Sequence, residues 1–105
     1  MEQLSPCINV VKRTIEFSLQ SDYINQISLD GARQVSLTGT FNHWAQDVLL
    51  LKQSKEGIWK IEIPLLPRGK YYYKFFVDDK MWLEDVANPN REPDGFAGFN
   101  SILIV

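Results

Sequence analysis

Gly69-Lys70-Tyr71-Tyr72-Tyr73-Lys74-Phe75-Phe76-Val77-Asp78 reads as a β-strand closed by turn formers. Tyr71, Tyr73, Phe75 and Val77 fall on one face, and Tyr72, Lys74 and Phe76 on the other. That period of two is the signature of a strand whose side chains point alternately to opposite sides. Outward from it the pattern repeats. Arg13 to Leu19 sets Ile15, Phe17 and Leu19 against Thr14, Glu16 and Ser18. Val35 and Leu37 share a face between Gln34 and Thr38, and the run stops at Gly39. Trp59, Ile61 and Ile63 alternate with Lys60 and Glu62, which assigns Trp59 to the core. Ser101 to Val105 is a continuous β-branched and Leu run, as expected of a buried final strand. Val48 to Leu51 fits a strand or a bent connection equally well.

Turn signals fall between these runs at Asp30-Gly31, Glu56-Gly57, Pro67-Arg68-Gly69, Asp78-Asp79 and Asp94-Gly95. No segment has a convincing helical period beyond a turn near Asp22 to Ile27. Short strands at this spacing predict an all-β fold, an antiparallel immunoglobulin-like sandwich. Residues 1–32 are expected to form an N-terminal extension with the first strand at about 13–19, within the same domain. Residues 33–105 form its main body. The polar stretch Val86 to Asn100, rich in Pro, Gly and Asn, is expected to be one long ordered loop. Ile8 to Lys12 is compatible with an extra strand, a turn of helix or a docked arm.

Composition narrows the function. A chain of 105 residues with 45% hydrophobic content is enough for one domain with its own core. No apolar run approaches the roughly 20 residues of a membrane-spanning helix. The opening residues lack the basic flank and apolar run of a signal peptide. A net charge of −2 offers no broad basic surface, so nucleic acid is disfavoured as a partner. Cys7 is the single cysteine and His43 the single histidine, which excludes an internal disulfide and leaves too few ligands for a thiolate–imidazole zinc site. A reducing cytoplasm suits that cysteine usage, and no cofactor is expected. The acidic side chains lie mostly in turns or alternate outward on strands, as do Glu16 and Glu62, so no carboxyl pair converges for hydrolysis.

The aromatic residues carry the functional hint. One face of a glucose ring presents C–H bonds that an indole can cover, while the hydroxyls point sideways to donors and acceptors. Trp44 ends the turn-like segment Gly39-Thr40-Phe41-Asn42-His43-Trp44, directly after a strand. Trp82 follows the Asp78-Asp79-Lys80 turn at the far end of the aromatic strand. Lys74 shares its strand face with Tyr72 and Phe76, and Asn100 opens the last strand.

These segments in order, with Met81-Trp82 and the closing Asn100-Ser101-Ile102-Leu103-Ile104-Val105, resemble the family 48 carbohydrate-binding modules. That family includes the glycogen-binding domain of AMP-activated protein kinase β-subunits and the early-set domain that precedes the barrel of branching enzymes and isoamylases. The resemblance covers about Arg33 to Val105. It implies non-catalytic binding of α-1,4-glucan chains such as glycogen, starch or maltooligosaccharides. It further implies Trp44 and Trp82 as stacking platforms, with Lys74 and Asn100 as hydrogen-bonding partners of glucose hydroxyls. Phe96 is the counterpart of an apolar loop residue in kinase-type members, although Asn88 to Gly95 resembles the bacterial enzyme-type loop instead. Gly98 stands where the kinase-type loop has a hydroxyl-bearing residue. A glycogen-metabolising enzyme is the second partner the resemblance implies. The same fold also serves as a protein-interaction module that packs on such an enzyme, with Met1 to Ala32 as its docking element.

Overall fold

The computed structural model describes residues 5–21, 29 and 31–105. The expected turn near Asp22 to Ile27, and Asp30 of the Asp30-Gly31 turn, lie outside them. The described residues form ten strands: β1 Cys7–Asn9, β2 Thr14–Leu19, β3 Val35–Gly39, β4 Leu49–Leu50, β5 Lys52–Gln53, β6 Trp59–Pro64, β7 Lys70–Val77, β8 Met81–Leu83, β9 Arg91–Pro93 and β10 Phe99–Ile104. One 3-10 turn, Thr40–Asn42, follows β3. All pairings are antiparallel, in two sheets ordered β1-β2-β6-β5 and β4-β3-β7-β10-β9, with β8 beside the end of β7. This is the expected all-β, immunoglobulin-like sandwich.

The alternation read from the sequence decides what lies between the sheets. Ile15, Phe17 and Leu19 of β2, with Trp59 and Ile63 of β6, pack against Val35, Leu37, Tyr73, Phe75 and Leu103 of the other sheet. Phe17 and Tyr73 meet edge to face across the gap, 5.0 Å apart at 72°. Each fully buried side chain of this size contributes about 1.5–3 kcal/mol of apolar burial. Tyr73 carries a hydroxyl into that core, and the core answers it. Its hydroxyl donates to Asp85 Oδ2 at 2.7 Å and accepts from Asn88 Nδ2 at 3.0 Å. Ser5 donates to the same carboxylate oxygen. The Asp85 amide donates to Ser101 Oγ at 2.8 Å, tying the end of β8 to β10.

Four segments differ from the sequence reading or complete it. Val86 to Asn100 is not one loop, because β9 within it pairs with the start of β10, which leaves 86–90 and 94–98 as two separate irregular stretches. The final strand alternates instead of being buried throughout: Ser101 and Leu103 are buried while Ile104 is 57% exposed. Its outward residues lie on the face of the sheet opposite the core. Ile8 to Lys12 resolves into the end of β1 and a turn in which Asn9 Oδ1 accepts from the amides of Val11 and Lys12. Val48 to Leu51 is both of its alternatives at once. The chain pairs with β3 as β4, buries Leu51, and crosses to the other sheet as β5.

Candidate functional site

The outer face of the six-stranded sheet gathers Trp44, Lys74, Trp82, Phe96 and Asn100 around one open groove of about 760 Å³. Each arrives by a separate local device.

Trp44 depends on Gly39. A Cβ on Gly39 would lie 2.4 Å from the Tyr72 carbonyl oxygen and 2.8 Å from the Phe41 ring, so only glycine lets β3 leave the sheet this close to β7. Asn42 Oδ1 then accepts from the Gly39 amide at 2.9 Å, and the Trp44 amide donates to the Gly39 carbonyl at 2.8 Å. Within this closed turn His43 and Trp44 take left-handed backbones, with φ of 56° and 57°. For residues with a full side chain that conformation costs on the order of 1–3 kcal/mol and persists where the surroundings fix it.

Trp82 is aimed by the turn between β7 and β8. Asp78 and Asp79 sit there with φ of 52° and 56°, and the Lys80 amide donates to the Val77 carbonyl at 3.0 Å. Positive φ at both central residues matches the twist of the flanking strands. Asp78 Oδ1 accepts from the amides of Gln34 and Arg33, and these bonds hold its carboxyl below the usual range. Trp82 therefore stands opposite Phe76 in register and stacks on it, 4.3 Å apart at 30°. Phe76 is buried beneath; Trp82 remains 41% exposed. The half-buried Trp44 meets Trp82 edge-on, with centroids 6.4 Å apart at 70°. Together they form a bent apolar wall with faces at two orientations.

The polar side of the groove is a lysine and a tight turn. Lys74 projects from β7 in register with Thr38, and its ammonium lies 2.5 Å from Asp94 Oδ2. The other oxygen of Asp94 accepts from the amides of Phe96 at 2.7 Å and Gly98 at 3.1 Å. The Lys74 hydrogen bond first, then these amides, bring the Asp94 carboxyl down to about 2. Asn100 lies on β10 opposite Glu92 of β9. Phe96 stands at the tip of the turn, 90% exposed, on the rim of the groove.

All five residues singled out from the sequence thus line one surface. Gln46, Asp94, Ala97 and Gly98 also line it and were not singled out as site residues. Asp94-Gly95 was legible as a turn, and an aspartate that caps a turn through its own side chain is the signal within it. Its pairing with a lysine 20 residues away was not legible. The arrangement offers flat apolar faces, one ion pair and the carboxamides of Gln46 and Asn100. These groups suit recognition by stacking and hydrogen bonding.

Comparison with known proteins shows what the chain as a whole is similar to. The family model for the glycogen recognition site of AMP-activated protein kinase matches residues 28–104. The mouse 5'-AMP-activated protein kinase subunit beta-2 is 33% identical over 60 residues, covering 57% of this chain and 21% of that one. The human subunit beta-1 is 39% identical over 59 residues, covering 56% of this chain and 20% of that one. The matched segments amount to about a fifth of each relative's length. Among solved structures, a protein from Salmonella typhimurium described as an alpha amylase superposes with a TM-score of 0.63 at 16% identity, over 92% of this chain and 14% of that one. At that identity the likeness is one of fold.

Proposed function

Because the chain belongs to the glycogen recognition family of AMP-activated protein kinase, we propose that it is a non-catalytic module that binds α-1,4-glucan chains across the groove of Trp44, Trp82, Lys74 and Asn100. The observation that carries this reading is the pair of accessible indoles set edge-on, 6.4 Å apart, beside a lysine and an asparagine. Two apolar faces at 70° suit a chain that curves, since successive glucose rings present their C–H faces at changing angles. Indoles kept at the surface also support sugar binding over a purely structural docking module, in which they would be covered.

Aromatic stacking on nucleobases is worth about 1–3 kcal/mol per ring, and sugars are similar or weaker. Two platforms and two modest hydrogen bonds, less the ordering of a flexible chain, leave roughly 4–7 kcal/mol. That is a dissociation constant between about a millimolar and about ten micromolar. Such affinity suits a module acting on a polymer, where neighbouring sites raise the effective concentration. The test is electrophoresis through native gels containing glycogen. Retardation of the wild type, abolished in Trp44→Ala and Trp82→Ala variants with unchanged melting, is the expected result. Equal mobility with and without glycogen overturns the reading.

A further inference from the structure

Of the residues lining the groove, Lys74 and Asp94 are the charged ones, and they are paired with each other. Their side chains are only 17% and 9% exposed, so solvent screens the pair poorly. An unpaired ammonium beside two indoles would draw anions into the groove. Here its charge is cancelled in place. The turn is built to do this. One oxygen of Asp94 is occupied by the Phe96 and Gly98 amides and the other faces Lys74. Gly98 makes room for the carboxylate, since a Cβ there would lie 2.9 Å from Asp94 Oδ2.

We infer that Asp94 is a positioning and specificity-determining residue: it fixes the Lys74 ammonium against the 94–98 turn and neutralises it, so that the groove accepts uncharged glucans and discriminates against phosphorylated ones. The inference rests on the glucan reading above. An ammonium has three donors, and the ion pair leaves two of them for sugar hydroxyls. A carboxylate has about four acceptor positions, and three partners leave one of them. A glucose hydroxyl, which both donates and accepts, can bridge Lys74 and Asp94. A phosphate only accepts at neutral pH and meets the Asp94 charge at short range.

The experiment is calorimetric titration of the full chain with maltoheptaose and with a phosphorylated maltoheptaose, for the wild type, Asp94→Asn and Lys74→Gln. Wild type is expected to prefer the neutral glucan. Asp94→Asn should weaken maltoheptaose binding several-fold and shift the preference about tenfold toward the phosphorylated chain, a gain that added salt erodes. Lys74→Gln keeps the Phe96 and Gly98 bonds of the turn but leaves Asp94 uncompensated. It should shift the preference further toward the neutral chain, and it carries the test if Asp94→Asn melts early. Loss of turn structure alone predicts weaker binding of both ligands without a change in their ratio. Wild type that binds maltoheptaose, with the ratio unmoved in both variants, overturns this inference and leaves the glucan reading standing. Wild type that binds neither ligand removes both.

Discussion

Replacing Asp85 with asparagine should flatten the dependence of stability on pH between about 4 and 7. Asp85 is 1% exposed, and burial pushes its carboxyl up from the ordinary 3.8 to about 6 despite hydrogen bonds from Ser5, Tyr73 and the Ala87 amide. The folded chain therefore holds a proton that the unfolded chain releases. The contribution is fully present below about pH 3.8 and is lost as pH rises through about 6. The difference between the two values corresponds to about 3 kcal/mol, of which about 2–3 kcal/mol falls between pH 4 and 7. The lowered carboxyls of Asp78, Glu92 and Asp94 lose their contribution as pH falls, below the usual carboxylate range, and so act in a lower window. Asp79, raised by its hydrogen bond with Asp47, works in the same direction as Asp85, so only the residual slope in Asp85→Asn belongs to it. Urea denaturation at half-unit steps from pH 4 to 7.5 measures the effect. Wild type whose stability is flat or rises across that range, or an Asp85→Asn variant with the wild-type slope, would refute the assignment of a protonated buried carboxyl.

Three further outcomes follow from the geometry. Gly39→Ala places a methyl 2.4 Å from the Tyr72 carbonyl oxygen and should cost more than about 2 kcal/mol in thermal or urea melts. Phe76→Ala removes the ring that Trp82 stacks on, and glucan affinity measured by calorimetry should fall at least several-fold, with stability lowered by roughly 3–5 kcal/mol. Phe96→Ala, at a position 90% exposed, should leave melting within about 0.5 kcal/mol and lower glucan affinity only if the ring lies over the bound chain; a large loss of stability would contradict its placement.

What was legible in the sequence was whatever one buried face imposes locally. Tyr73, Phe75 and Val77 could be assigned inward because a period of two leaves no other way to bury three of them on one side. Phe76 was equally visible as an outward residue, but its burial under Trp82 depends on the register across the Asp78-Asp79 turn. Trp44 was placed at a turn by its neighbours, whereas its left-handed backbone reflects hydrogen bonds back to Gly39. β9 was read as loop because Arg91-Glu92-Pro93 has no apolar alternation; its pairing with β10 supplies what the sequence pattern does not. β10 was read as buried because Ile102, Leu103 and Ile104 are all apolar, yet only Leu103 of these faces the core. Asp94 was missed as a groove residue because an ion pair between a turn and a strand residue 20 positions away leaves no local trace.

The tryptophan platform is tested most directly by intrinsic tryptophan fluorescence titrated with maltoheptaose, with Trp82→Ala as the control. Saturable quenching with a midpoint between about a millimolar and about ten micromolar, absent in Trp82→Ala of unchanged fold, is the expected result. No response up to about 10 mM from an intact fold, at a concentration well above that range, would contradict it.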